Sequence, residues 1–494
     1  MICFDWAKVQ HQFLYDAKNP LLFNSGFFVY FFFVFILFYY AVRKSSAQRA
    51  LVLTLFSLYF FYKASGLFVV LVIATSVINF AVSNYIFILK SQFLKKVTLI
   101  SSIVFNLGVL FYFKYTNFAI ELLNSYSSLH FNALHLILPI GISFYTFENL
   151  SYTIDVYRNE IEPEKKIVNY LLFLSFFPKL VMGPIVRAKD FIPQLKKPYF
   201  VSQSDFSRGF YLIISGLIKK LIISDYISLN LVDYVFDGPT LHNGFECLIA
   251  MYGYAIVIYC DFSGYSDVAI GISKWLGITI PPNFLSPYQS TSISEFWRKW
   301  HISLSSWLRD YLYIPLGGNK GGKVRTNLNL FLTMFIGGFW HGASFNFIIW
   351  GALHGVGLIV NKIWTALFGN FERRYIPRPV STVFFGLLTF HFVCFCWIFF
   401  RAADLQIALQ FIDQIRYHFT FTNYLSFLQN YKTAIIMIVI GFLIHLIPDL
   451  WADKFIEKQK NYSIIYFIIV TVLFLFLYSY FKSAQSVMPI YLQF

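Results

Sequence analysis

Charge is what this chain has least of. Asp, Glu, Lys and Arg make up 13% of its 494 residues, against roughly 25% in soluble domains. Acidic side chains are the scarcer kind, 24 against 39 basic ones, which leaves a net charge of +15. Hydrophobic residues reach 58%, with 61 Phe and 34 Tyr. A water-soluble core of this length cannot hide so much aromatic surface, whereas lipid can. A soluble multidomain protein is therefore excluded despite a length that would suit one. Net charge of this sign in a soluble chain would suggest nucleic acid. Here the basic residues sit in short loops between apolar runs, so no nucleic-acid partner is expected.

Cysteine is also sparse. The five are Cys3, Cys247, Cys260, Cys394 and Cys396, and no disulfide framework can be read from them. Cys394-Phe-Cys396 reads as apolar packing rather than a metal site, because no second ligand pair accompanies it. No metal is expected. Residues 1–20 lack the continuous apolar core of a signal peptide and carry Asp5, Lys8, Asp16 and Lys18. Trp6, Val9, Phe13 and Leu14 suggest a short interfacial helix with one apolar side, the alternative being a disordered tail.

Long apolar runs dominate what remains. Uncharged stretches occur at 25–42, 50–62, 64–89, 97–113, 131–147, 167–178, 209–218, 247–260, 326–361, 379–400, 433–448 and 461–481. A spanning helix needs about 20 mostly apolar residues. Runs 167–178 and 209–218 are too short, so they are expected to be re-entrant or extended by charges buried against protein. The chain reads as an all-α polytopic membrane protein, one domain over 1–494, with ten to twelve membrane elements. Arg43, Lys44 and Arg49, then Lys90, Lys95 and Lys96, mark cytoplasmic loops, which would put the N-terminus outside the cytoplasm.

The region 281–325 is the least apolar, too polar for lipid and too short for a domain. Gly317 to Lys323 fits the start of a G-x-x-x-x-G-K phosphate loop. Val324 then replaces the Ser or Thr that would hold Mg²⁺, and no strand precedes the segment, so a nucleotide reading is rejected. The glycines read as a flexible basic loop, with Lys320, Lys323 and Arg325 available to phosphates.

His341 lies in Thr326–Asn361, the longest uncharged stretch. An ionisable group at membrane depth is a functional-site hypothesis by default. The 36 residues would make a helix of about 54 Å, beyond a ~30 Å hydrocarbon core. Either two passes turn at Gly342 to Asn346, with His341 near one face, or a tilted helix keeps His341 buried. Only the second alternative makes a buried tunnel site.

Family signatures lie across the middle of the chain. Pro139-Ile-Gly-Ile-Ser-Phe-Tyr-Thr-Phe-Glu148 is followed by Ile154-Asp-Val-Tyr-Arg158, Pro178-Lys-Leu-Val-Met-Gly-Pro184 and Asp261-Phe-Ser-Gly-Tyr-Ser-Asp267. Ser294 to Gly318, containing Trp297-Arg-Lys-Trp-His301, and Phe339-Trp-His-Gly342 complete the series. In this order they resemble the membrane-bound O-acyltransferases, in particular the bacterial alginate O-acetyltransferase-like branch with its peptidoglycan O-acetylating relatives. The family core would cover about 140–360. The resemblance implies a helical body around a central funnel or tunnel, and two catalytic positions, His341 and His301.

Physical chemistry fits those roles. Acyl transfer from a thioester to a hydroxyl requires removal of the hydroxyl proton, work suited to a neutral imidazole. His341 is expected as general base, with His301 donating to the oxyanion, orienting His341 or binding the acceptor. Trp300, Tyr313, Trp340, Asn346 and His354 are candidates to line or support the passage. Asp261 and Asp267 are expected to anchor a polar helix break rather than act as acid and base, and His391 and His445 to be hydrogen-bonded structural residues. The resemblance implies acetyl-CoA or a related acyl thioester as co-substrate and no bound cofactor. It also implies a cell-surface polysaccharide as acceptor, alginate-like or peptidoglycan, reached directly or through an extracytoplasmic partner acetyltransferase. The expected location is the bacterial cytoplasmic membrane. D-alanyl transfer to teichoic acid from a carrier protein is the alternative within the family. A transporter or channel without catalysis is the alternative outside it.

Overall fold

The computed structural model describes residues 12–17, 19–23, 25–127, 130–447, 449–482 and 488–490. Every regular element among them is helical, as the apolar runs require of a chain that must satisfy its backbone inside lipid. Cys3, Trp6 and Val9 lie outside the described residues, so only Phe13 and Leu14 of the expected interfacial helix are seen, both exposed.

Six helical stretches are long and apolar enough to cross a bilayer: Ser46–Ile88, Gln92–Lys114, Gly244–Trp275, Phe345–Gly369, Arg378–Arg401 and Ile464–Phe481. Tyr424–Asn430 and Lys432–His445, bent by 81°, make a seventh if they form one span. The protein is multi-pass. The ten to twelve membrane elements expected from the sequence included short and re-entrant ones, and several of the runs do form short helices, though these spans do not by themselves establish that count. Run 167–178 is one. It becomes Ile167–Ser175 and Phe177–Leu180, separated by a break at Phe176, and is mostly buried.

The backbone divides into two compact units, Met1–Gly209 with Val268–Pro281, and Phe210–Asp267 with Pro282–Phe494. In the first, Ser25, Ser45 and Ser91 cap their helices by accepting from Phe28, Gln48 and Leu94 backbone N–H groups. Val69–Ile88 and Gln92–Lys114 are tied by a reciprocal amide pair. Asn79 donates to Asn106 Oδ1 at 3.0 Å, and Asn106 donates back to Asn79 Oδ1 at 2.8 Å. Polar side chains joining helices in this way satisfy each other where water is scarce.

Two signature blocks meet in the same unit. Gly141 has φ +71°, and a Cβ there would stand 2.3 Å from the carbonyl oxygen of Leu180, so this approach requires glycine. One helical stretch on, Glu148 and Lys179 form an ion pair with side chains only 4% and 1% exposed. The second carboxylate oxygen of Glu148 accepts from the Val186 backbone N–H at 3.1 Å.

In the second unit, the helix that begins at Gly244 runs without interruption through Asp261 and Asp267. The helix break expected there is absent, because consecutive lysines neutralise the two carboxylates and no backbone irregularity is needed. Lys220 pairs with Asp261 and also with Asp225 at 2.8 Å, and Lys219 pairs with Asp267 at 2.7 Å. The lysines that end run 209–218 are thus charges extending an apolar segment within protein.

Candidate active site

Phe339-Trp-His-Gly342 ends a helix. Gly322–His341 stops at His341, and Phe345–Tyr375 starts three residues after Gly342. The two helices pack closely because two glycines face each other. A Cβ on Gly338 would lie 2.4 Å from Phe347 O and 2.7 Å from Gly351 Cα, and one on Gly351 would lie 2.6 Å from Met334 O. The turn anticipated for Thr326–Asn361 is therefore present. His341 is nonetheless 5% exposed, so the turn and the burial, posed as alternatives by the sequence, occur together. Rings surround it, with centroids of Trp340 and Trp350 at 5.0 Å and of Phe400 at 5.4 Å.

His301 arises differently. Ser292 caps Ile293–Lys299 by accepting from the Glu295 N–H. Trp300 ends that helix, and His301 turns the chain into Ile302–Leu308 with φ +43° and ψ +54°. That left-handed conformation is uncommon outside glycine, with histidine among the residues that tolerate it better. The side chain is fully buried, edge-on to Phe262 at 4.6 Å. Burial pushes its imidazole down to about 3, so it is neutral at physiological pH.

The residue holding this turn escaped the sequence reading. Asn283 Oδ1 lies 3.1 Å from His301 Nδ1 and accepts from the Ser303 backbone N–H at 3.2 Å and the Ser303 hydroxyl at 2.9 Å. The Asn283 carbonyl accepts from the Ile302 N–H at 3.0 Å. Its amide nitrogen donates to Ser266 Oγ at 3.3 Å. The available signal was its place beside Pro281-Pro282, in a polar stretch that no apolar pattern explains.

The other candidates divide. Trp300 is 1% exposed, lies flat against Phe296 and contacts Trp397 at 4.9 Å. Trp397 in turn stacks on Trp350, beside His341. His354 is fully buried one turn beyond Trp350, 4.8 Å from its ring, and accepts from the Trp297 indole at 3.2 Å. Asn346 is buried and donates to the Ala402 carbonyl at 2.9 Å, fixing the start of its helix. Tyr313 sits elsewhere, donating to Asn319 within the glycine loop at 2.7 Å. That loop is shorter than expected. Gly317, Gly318, Gly321 and Gly322 all have positive φ, but the next helix has started by Gly322, so Lys323 and Arg325 belong to its first turn.

His391 and His445 are hydrogen-bonded within the same unit. The former bonds Tyr252 OH at 2.9 Å, and the latter accepts from the Tyr288 N–H at 3.0 Å. Cys394 and Cys396 are buried thiols in an apolar core.

Comparison with known proteins covers the same stretch. Residues 164–401 match the family model of the membrane-bound O-acyltransferases. The peptidoglycan O-acetyltransferase of Helicobacter pylori is 32% identical over 94% of this chain and 96% of its own length. The probable alginate O-acetylase of Pseudomonas aeruginosa is 44% identical over 63% of this chain, which spans 58% of that protein. The teichoic acid D-alanyltransferase of Bacillus subtilis is 31% identical over 53% of this chain and 68% of its own length.

Proposed function

Since the chain belongs to the membrane-bound O-acyltransferase family, we propose that it carries an acetyl group from a cytoplasmic thioester, acetyl-CoA or a related donor, for O-acetylation of a cell-surface polysaccharide. Peptidoglycan is the favoured acceptor, because the near-full-length similarity is to a peptidoglycan O-acetyltransferase. An alginate-like polymer comes second. The protein acts from the cytoplasmic membrane with its N-terminus outside, as one catalytic body over 1–494 with a core of about 140–360. It hands the acetyl group to the polymer or to an extracytoplasmic partner acetyltransferase.

The observation that carries this reading is the burial of two imidazoles, His301 and His341, within the family-matched stretch. Transfer needs a proton taken from the attacking hydroxyl and a shielded site in which developing charge interacts strongly. His301 and His341 are the two catalytic residues. Trp300, Trp340 and His354 supply the dry wall around them.

The test is the O-acetyl content of peptidoglycan and surface polysaccharide in cells carrying His341→Ala or His301→Ala, with the membrane level of each variant measured. Loss of at least about 100-fold is expected. Full acetylation at normal protein level would remove the assignment. The D-alanyl alternative draws on the similarity to the Bacillus subtilis enzyme. Mass analysis separates the two, since the modified glycan would then carry an alanyl rather than an acetyl ester.

A further inference from the structure

The first compact unit carries a cavity of about 1070 Å³, lined wholly by residues of Met1–Gly209. Its walls are the start of Ser46–Ser65, the loop 160–166 that leads into Ile167–Ser175, Tyr152, and the stretch 188–196. The loop is held by buried groups. Tyr152 OH accepts from the Glu164 backbone N–H at 2.7 Å. Glu164 Oε1 accepts in turn from the backbone N–H groups of Lys165 and Lys166, both at 3.0 Å. The two lysines are thus fixed at the wall through their backbone, while the residues themselves are exposed.

Most charges on this wall cancel. Glu164 pairs with Lys196 at 3.0 Å, and Glu160 lies 4.0 Å from Lys189 and 3.7 Å from Arg158. Among the described residues, the ion pairs leave out the side chains of Lys165, Lys166 and Glu162. Two ammonium groups against one carboxylate leave an excess of one positive charge, the complement of a single phosphodiester. The backbone adds to it. Ile167–Ser175 and Ala188–Leu195 both begin at the cavity without a side-chain cap, so their first N–H groups favour an anion there.

The rest of the wall is apolar. Ile161, Ile192 and Leu195 line it, and so does Leu51 on the spanning helix. Leu51 is 48% exposed and Leu55, one turn on, is 58% exposed, so an apolar strip runs from the cavity onto the outer face of that helix. A soluble phosphate compound gains nothing from such a strip, whereas an acyl chain does. Arg43 and Lys44 stand just before Ser46–Ser65, which puts the cavity on the side read as cytoplasmic. We infer that the cavity binds an anionic phospholipid of that leaflet, its phosphate held between Lys165 and Lys166 and a chain laid along Leu51 and Leu55. Basic pockets between helices on this side of a membrane suit such headgroups. The bound lipid bridges three segments of the folded unit. It binds the folded chain and not the unfolded one, and so stabilises the fold.

The test uses full-length protein purified in detergent, with phosphatidylglycerol, phosphatidylethanolamine or inorganic phosphate added. Bound lipid is read by native mass spectrometry, and stability by the thermal unfolding midpoint. Phosphatidylglycerol should be retained and should raise the midpoint, and the other two should do neither. Lys165→Ala with Lys166→Ala should weaken retention roughly 10-fold or more and abolish the rise. Lys90→Ala with Lys96→Ala removes the same charge from two other exposed positions and should leave binding as it is. Ala47→Trp adds bulk at the wall from an exposed position, touches no charge, and should also lose the lipid. Unchanged binding in the Lys165 and Lys166 variant, or an equal loss in the Lys90 and Lys96 variant, would overturn the site. An equal response to phosphatidylethanolamine would overturn the charge match. An equal response to inorganic phosphate would make the occupant a soluble phosphate and overturn the lipid. None of these readouts depends on acyl transfer.

Discussion

Glu148 and Lys179 pair with their charges almost wholly out of water, 31 residues apart in sequence and in two separate signature blocks. Lys179 also lies 4.7 Å from the centroid of the Phe173 ring. Removing one partner from a buried pair leaves an uncompensated charge and costs about 3–5 kcal/mol, whereas replacing both can be neutral. Glu148→Ala and Lys179→Met should therefore each lower membrane abundance and the unfolding temperature in detergent. The double variant Glu148→Gln with Lys179→Met should recover much of the loss. Additive losses in the double variant would show that the two side chains act independently.

The contact between Gly338 and Gly351 sets the spacing of the helices flanking the Gly342 turn. A methyl group on Gly338 would meet backbone on two sides, at 2.4 and 2.7 Å, and backbone cannot rotate away as a side chain can. Overpacking of this kind costs about 1–3 kcal/mol. Because His341 ends one of these helices, Gly338→Ala should reduce acyl transfer by more than it reduces protein level. Gly26→Ala, where a Cβ meets nothing within 4 Å, is the matched control and should change neither. Equal behaviour of the two variants would dissociate the helix contact from the site.

How far the sequence reached depends on which interactions encode each feature. The helical, multi-pass character was legible because run length and hydropathy are local properties. His341 stood out as one of two histidines, with His354, in 36 residues that hold no Asp, Glu, Lys or Arg. The number of full spans was not legible, because a short apolar run lies as readily against protein as across lipid, as Ile167–Ser175 shows. Asp261 and Asp267 looked like a helix break because their lysine partners, Lys220 and Lys219, are 41 and 48 residues away. Asn283 gave no signal beyond its place beside Pro281-Pro282, for a similar reason. Its importance comes from one oxygen that meets His301 and Ser303, and spacing alone cannot reveal such a convergence.

Burial of His301 has a consequence for stability as pH falls. Its folded value of about 3 lies below the ordinary 6.5. The unfolded chain therefore binds a proton that the folded chain refuses between those values. Stability is full above about pH 6.5 and falls as pH drops towards 3. Thermal unfolding of detergent-solubilised protein across that window should show a declining midpoint. His301→Gln, which has no proton to gain, should show a shallower decline than the unaltered protein. An identical slope would mean that His301 is not held neutral in the folded state.

The Trp297 indole fixes which ring nitrogen of His354 carries the proton, because its N–H can only donate. The indole N–H donates to His354 Nδ1 at 3.2 Å. Trp297→Phe keeps an aromatic ring beside Trp350 and His354 and removes the donor together with part of the indole's bulk. Loss of a buried hydrogen bond with one partner left behind costs about 1–3 kcal/mol, so a lower unfolding temperature is expected. The bond also dictates the His354 proton. Trp297→Phe should therefore release His354 to either tautomer, visible by ¹⁵N NMR, while the His301 signals stay as they are. Acyl transfer should fall less than about 10-fold, because His354 frames the site without handling the proton. A drop as large as that of His301→Ala would instead make His354 a direct participant, with its Nε2–H as the group that meets the substrate.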